Sequence, residues 1–485
     1  MKQILYQLLP RLWGRGKFSS IDTESLGYIR GLGVDTLWLT GVIRHATRKA
    51  DGGCTPSPVV KGDAGSPYAI TDYYDVNPYL ADDPAKRMEE FLQVVERVHG
   101  AGLKLVIDFV PNHVARDYRS LAAPAGVRSL GEDDDTSVHW APGNDFFYYP
   151  GQALQLPVDL PYQEFPAKAS GNAFTAAPGM NDWWETVRLN YCDFYTPTWE
   201  KMYQIIRFWA LKGVDGFRCD MVELVPPAFL QWMIARIKAE FPQIQFIAEV
   251  YEKERYAFYA NEVGFDLLYD KSGLYDTLRA VTCSGASARA ISWNWQFLGD
   301  DLQPRMLNFL ENHDEQRVAS DFFAGSPAAG YAALGVSLLL NTAPFMLYFG
   351  QEGGESGMQA EGFSGLDGRT SIFDWCTVPA LQNPDPAVLA RYRQALALAR
   401  RPAFREGKTY DLCYCQGPGF NRDRHFAWLR CKGRQTFLLV ANFGADEEIT
   451  VHIPPEAQAY LGLHVSCDTY SLEVPGRDFA YLSLG

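Results

Sequence analysis

Runs of lysine and arginine are missing from this 485-residue sequence. Its 44 basic side chains are outnumbered by 58 acidic ones, for a formal charge of −14. Nucleic-acid and anionic-membrane surfaces depend on clustered cations, so neither partner is expected. An acidic cleft for a neutral or cationic ligand is compatible with that balance. Cysteine is sparse: Cys54, Cys192, Cys219, Cys283, Cys376, Cys413, Cys415, Cys431 and Cys467. They are scattered and odd in number, which excludes a disulfide framework. Cys413 and Cys415 form a lone C-x-C pair, a weak metal signal for which half-buried strand residues are the simpler reading. No glycine-rich phosphate loop follows the first apolar run, which counts against a doubly wound nucleotide-binding sheet. The longest apolar stretch, 331–349, is broken by Asn341 and Pro344 and reads as helix, turn and strand, not as a membrane span. The first 13 residues lack the small-residue cleavage site of a signal peptide, so a cytoplasmic location is expected. Internal repeats and low-complexity tracts are absent too.

What is present is a large core. Hydrophobic residues make up 47% of the chain, enough to exclude disorder. Short continuous apolar runs at 36–40, 103–109, 214–218, 245–250, 306–310 and 345–349 have the pattern of strands buried on both faces. Helical spacing separates them, as in Met88, Phe91, Leu92, Val95 and Val98, or Leu230, Met233, Ile234, Ile237 and Phe241. Gly100 and Gly102 stand where the first of these helices should stop. Repeated strand–helix alternation predicts a parallel α/β architecture. About eight units fit before residue 400, which favours a (β/α)8 TIM barrel. One interval is too long: 110 residues separate Asp108 from Arg218, against roughly 30 for an ordinary strand–helix–strand step. The excess predicts an inserted subdomain after the third strand. The tail, with strand-like runs at 425–430, 436–442 and 448–453, predicts an antiparallel β-sandwich domain. The expected division is a barrel of 1–112 and 196–400, an insertion at 113–195 and a C-terminal domain at 401–485.

Strand ends carry the chemistry, because the C-terminal ends of barrel strands share one mouth. Here they finish in polar groups: Asp108, Asn112 and His113 after the third, Arg218 and Asp220 at the fourth, Glu249 at the fifth, Glu311, His313 and Asp314 at the seventh. One acid after a strand is often only a helix cap. Four such endings in order on one barrel point to a site.

These segments resemble the signature regions of the α-amylase superfamily of glycoside hydrolases. Asp108, Asn112 and His113 match its third-strand Asp-x-x-x-Asn-His; Gly216, Phe217, Arg218 and Asp220 match its Gly-Phe-Arg-x-Asp. Glu249 matches the fifth-strand glutamate, and Asn312, His313 and Asp314 match Asn-His-Asp. Tyr68, Asp72 and Tyr73 resemble an upstream Tyr-x-x-x-Asp-Tyr; Gly264-Phe-Asp266 and Gly350-Gln-Glu352 resemble the sixth- and eighth-strand endings. The resemblance implies a retaining mechanism with Asp220 as nucleophile and Glu249 as acid and base, their carboxyls about 5–5.5 Å apart. Arg218, two residues before Asp220 on one strand, is expected to keep Asp220 ionised, while a neighbouring carboxylate raises Glu249. Asp314 is expected to bind ring hydroxyls. Tyr68, His113, Arg218 and His313 are expected to contact the sugar, and Asp72, Asp108 and Asn112 to brace the site. Trp183 and Trp184 are expected to shape the cleft.

The chain departs from the family at its structural calcium site, for which the resemblance implies three ligands. Asn112 is present. Arg188 stands where a domain B segment of the form Asp-Leu-Asn has its acid, and Glu223 and Leu224 replace the usual Lys-His after the nucleophile. A cation among calcium ligands opposes calcium, so no metal or other cofactor is expected. The lost Lys-His pair, with Met221 nearby, also alters the leaving-group wall, which counts against classical endo-acting amylase specificity; the lack of a secretion signal favours short maltooligosaccharides over granular starch. The expected activity is hydrolysis of α-glucosidic bonds, α-1,4 bonds foremost. Two alternatives stay open: transfer of the sugar to another sugar or to phosphate at the same site, and a non-catalytic binding protein on this fold. Oligomeric state is left open.

Overall fold

The computed structural model describes residues 2–49, 56–359, 361–463, 465 and 467–484. Cys54 lies outside them, and the eight described cysteines are unpaired. Eight parallel strands close a barrel: β1 (Ile4–Leu8), β2 (Thr36–Leu39), β3 (Lys104–Phe109), β4 (Gly216–Cys219), β5 (Gln245–Ala248), β6 (Leu267–Tyr269), β7 (Met306–Phe309) and β8 (Phe345–Tyr348). Each pairs with its sequence neighbours, and β1 meets β8 to remove the edge. The six apolar runs fall on β2, β3, β4, β5, β7 and β8. β1 and β6 leave no comparable run: Gln7 interrupts the first, and the second is three residues long.

Helices cover the barrel: α1 (Thr23–Gly31), α2 (Arg87–Gly100), α3 (Pro197–Leu211), α4 (Pro227–Glu240), α5 (Asp276–Cys283), α6 (Arg289–Leu302), α7 (Tyr331–Leu339) and α8 (Pro386–Ala399). On α2 the buried stripe is Phe91, Val94, Val95 and Val98, so Val94 takes the place expected of Leu92. Gly100 is still helical; the turn that ends α2 is made at Gly102, with φ +71°. No helix among the described residues is long and apolar enough to cross a membrane.

Three excursions from the barrel build its mouth. After β2, Ile43–His45 pairs with Ile70–Val76. Between β3 and α3, His113–Ala115 pairs with Thr186–Arg188, and Tyr148–Tyr149 with Ala167–Lys168. After β8 the described residues up to Val378 hold only one short turn of helix. Side chains hold these irregular segments. Asp72 accepts the N–H groups of Tyr74, Leu121 and Ala122, and Arg116 pairs with Glu164 at 2.8 Å in the interior.

The C-terminal unit is antiparallel. β9 (Lys408–Asp411), β10 (His425–Lys432), β11 (Gln435–Asn442) and β14 (Phe479–Ser483) form one sheet; β12 (Glu447–His452) and β13 (Thr469–Val474) form a second. Cys413 and Cys415 were expected on a strand. They sit instead in a short helical turn after β9, with Cys413 buried and Cys415 half-buried. No glycine, proline, asparagine or aspartate interrupts Leu412-Cys-Tyr-Cys415 to mark that turn.

This unit docks on α7. The Trp428 indole donates to Leu339 O at 3.2 Å, and Gly335 faces Phe479. A Cβ at Gly335 would stand 2.5 Å from the Phe479 Cγ, so the helix and sheet approach as closely as backbone allows. On helix propensity alone Gly335→Ala should stabilise by about 1 kcal/mol. Overpacking of about 1–3 kcal/mol outweighs that here. Gly335→Ala is therefore expected to lower the thermal melting point; a higher one would contradict this docking.

Candidate active site

The sheet ladder runs past the strand ends and sets the carboxylates. The Asp220 N–H donates to Phe109 O at 2.9 Å, and the Glu249 N–H donates to Cys219 O at 3.1 Å. Both acids are thereby fixed just beyond β4 and β5. Arg218 lies opposite Asp108 in the β3–β4 register. Its guanidinium is fully buried, with Nη1 donating to Asp220 Oδ1 at 2.7 Å and Nη2 2.8 Å from Glu249 Oε1. Asp108 Oδ1 is 3.7 Å from Nη1, and the rings of Trp38, Tyr68 and Tyr269 surround the cation at 5.3–5.7 Å. Trp38 donates to Asp108 as well.

Above these groups opens a cavity of about 480 Å³, lined by Tyr68, His113, Trp183, Asp220, Glu249 and Asp314. That size suits a small ligand. A hollow of about 590 Å³ between Arg11–Gly16 and 376–382 is larger, but none of these carboxylates lines it. Asp314 keeps 38% of its side chain exposed. Burial works to raise its pKa, but the His313 imidazole at 3.0 Å prevails and holds it at about 2. His113 is pushed down to about 3 by burial, with Arg188 and Lys61 adding to the effect, so near neutrality it is an uncharged ring.

The surroundings of Asp220 run against one expectation. Asp220 was expected to be held ionised by Arg218. Burial pushes Asp220 well above the usual carboxylate range, and the charge of Glu249 adds to it; Arg218 only partly opposes them. Glu249 meanwhile accepts from the Met221 N–H at 2.8 Å and the Tyr251 hydroxyl at 3.0 Å.

Two residues expected to touch substrate do not line the cavity. Arg218 is sealed beneath the carboxylates it holds. The His313 side chain is fully buried: Nδ1 meets Gln7 Nε2 at 2.8 Å, and Nε2 meets the Tyr68 hydroxyl at 2.5 Å and Asp314. Both nitrogens are thus occupied by protein, and the ring stacks under Tyr68 at 5.2 Å. Tyr68 and His113 do reach the cavity. Asp108 and Asp72 hold neighbouring groups; Asp72 serves the start of the insertion. Asn112 is buried and donates to Gly171 O at 2.8 Å. Trp183 lines the cavity and packs on His113, whereas Trp184 is buried under Lys61. Glu311 turns inward to pair with Arg317 at 2.9 Å.

Sequence reasoning missed several participants. Tyr251, two residues past Glu249, holds that carboxylate. Lys61 and Glu185 form a 2.8 Å pair in the cavity wall, and Arg369 lines the side formed after β8. The only signal for Tyr251 was an aromatic two positions beyond a strand-end acid; the others come from irregular loops that no periodicity marks. Among the described residues no three His, Cys, Asp or Glu side chains are grouped to hold a metal ion.

The alpha-amylase catalytic-domain model matches residues 14–379. The chain belongs to the α-amylase family. Alpha-amylase 3 of Dictyoglomus thermophilum is 24% identical over 348 residues, covering 70% of this chain and 60% of that protein. Alpha-amylase MalA of Haloarcula japonica is 28% identical over 459 residues, covering 93% and 56%. The matched region is thus less than two thirds of either relative's length. The cyclic alpha-maltosyl-(1→6)-maltose hydrolase of Arthrobacter globiformis superposes with a TM-score of 0.69 at 18% identity, over 100% of this chain and 99% of that one. At that identity the likeness concerns the fold.

The charge of Glu249 raises Asp220, so Glu249→Gln should lower the pKa of Asp220. The ionised form is lost as pH falls through that pKa. In the variant it therefore persists to lower pH, and the acidic limb measured with an α-glucosyl fluoride, whose leaving group needs no proton, moves down. An unmoved limb would contradict the coupling.

Proposed function

We propose that the protein is a retaining glycoside hydrolase that cleaves α-glucosidic bonds, α-1,4 bonds foremost, in maltooligosaccharides or related α-glucans. The observation that carries this reading is the pair Asp220 and Glu249 on one buried guanidinium at the barrel mouth, with Asp314 across the same cavity. Family membership and the names of the two α-amylase relatives support it.

Cleavage passes through an oxocarbenium-like transition state. Asp220 attacks the anomeric carbon and forms a glycosyl ester as the bond to the leaving oxygen breaks. Glu249 gives that oxygen its proton, then removes one from water, which hydrolyses the ester. This order needs a proton on Glu249 and an ionised Asp220 at the moment of attack. Asp314, ionised over the whole working range, accepts hydrogen bonds from ring hydroxyls. The Tyr68 ring offers a stacking face, and the neutral His113 a polar contact without charge. On the leaving-group side Met221 lines the cavity, while the Glu223 carboxylate is turned to the N–H groups of Tyr251 and Glu252. That wall offers few fixed hydrogen bonds to distant glucose units, which supports short substrates.

Incubation with maltoheptaose, sucrose and trehalose, with and without phosphate, tests the reading. Glucose and short maltooligosaccharides, released first as the α-anomer by NMR, are expected. Longer, rearranged or phosphorylated sugars would show transfer, and a first-formed β-anomer would exclude retention. Asp220→Asn is expected to lose about 10⁴-fold or more in kcat.

A further inference from the structure

The family's calcium cradle has a counterpart here, and its residues do not fit a metal. Calcium takes six to eight oxygen ligands, several of them carboxylates. At this place Arg188 Nη1 donates to Gly171 O at 3.2 Å and Nη2 to Leu224 O at 2.9 Å. Asn112 presents its N–H₂, not its carbonyl, to Gly171 O. The Arg188 guanidinium lies over the Phe174 ring at 5.0 Å, and no described carboxylate pairs with it. Both oxygens of the nearby Glu223 are occupied by backbone N–H groups. The carbonyls that could have faced a metal accept from a cation that belongs to the chain.

We infer that the Arg188 guanidinium is a built-in cation that clamps the inserted domain to the loop carrying the nucleophile, and so acts as a positioning residue. Its connections are short. Arg188 is the cross-strand partner of His113 in the pair formed by His113–Ala115 and Thr186–Arg188. Through Gly171 O it shares an acceptor with Asn112, whose amide also meets His113 Nδ1 at 3.1 Å. Through Leu224 O it holds the turn Val222–Leu224, which begins at Met221. Met221 follows Asp220 directly, has φ +45°, and donates its N–H to Glu249. One guanidinium thus sits three hydrogen bonds from His113, through Gly171 O and the Asn112 amide, and a single turn from both catalytic carboxylates. A close backbone approach makes this possible. A Cβ on Gly171 would stand 2.6 Å from Thr186 Oγ1 and 2.9 Å from the Trp183 ring, so only glycine brings this carbonyl against the strand that carries Arg188. Arginine suits the task because its fork presents several donors in fixed directions to two acceptors at once.

The test compares the wild-type protein with Arg188→Ala and Arg188→Lys. Wild-type melting and activity are expected to ignore both EDTA and added calcium, with no calcium binding by calorimetry. Arg188→Ala should lose about tenfold or more in kcat with KM changed less than about twofold, because the turn beside the carboxylates loses its clamp while Asn112 and the strand pairing still hold His113. Arg188→Lys keeps the charge but not the two-acceptor fork, so it should recover part of that loss. Calcium binding to the wild type, a chelator-lowered melting point, an unimpaired Arg188→Ala, or a lysine variant as impaired as the alanine one would each overturn the inference. If Arg188→Ala does not fold, the lysine variant and the calcium measurements decide. The kcat comparison rests on the proposed catalytic pair and the calcium arm does not. An error in the pair would show separately, as activity retained by Asp220→Asn.

Discussion

A buried arginine and the three carboxylates around it govern this structure. The Arg218 guanidinium touches Asp220 and Glu249 and approaches Asp108, and it has no exposure to solvent. Burying an isolated ion costs several kcal/mol even after relaxation, so such a cation persists only when its partners are held in place. Here the holding is done by three adjacent strands in register. Asp108 faces Arg218 across β3 and β4, and the ladder continues through Asp220 and Glu249 beyond the ends of β4 and β5. The requirement also runs the other way. Three acids could not share so small a dry space without the cation, because like charges there force protons onto one another. The raised pKa of Asp220 is the residue of that conflict.

Much of this was legible in the sequence because two physical patterns are local. Strands buried on both faces leave continuous apolar runs, and a barrel gathers strand ends at one mouth. Asp108, Asp220, Glu249 and Asp314 were therefore identifiable as a set before any coordinates. Depth was less legible. Arg218 and His313 stand beside Asp220 and Asp314 in sequence yet lie behind them in space, because alternation along a strand tells side from side but not floor from rim. The partners of Glu249 were less legible for a related reason. The spacing of Arg218 and Asp220 announces their pairing, but the donors to Glu249 come from Met221, at an unusual φ, and from Tyr251. Neither leaves a pattern that a sequence reveals.

The walls of the cavity belong to the irregular excursions after β2, β3 and β8. Their hydrogen bonds run from side chains to backbone and from loop to loop. Lys61 reaches Asp182 O and Glu185 across the mouth, and the Ala64 N–H donates to Phe373 O from the segment after β8. These contacts join all three excursions into one rim around Asp314 and Tyr68. The carboxylates thus rest on rigid strands while most of the cavity wall rests on loops, a division that lets one barrel host many different sites.

The most direct test of the account is to trap the sugar on the enzyme. A slow-turnover fluorinated α-glucosyl fluoride, incubated with the protein and followed by intact and peptide mass spectrometry, reports which side chain attacks. The account predicts a single glycosyl adduct on the peptide containing Asp220, at that carboxylate. An adduct on another residue, or turnover of this probe to the inverted product with no adduct, would contradict it.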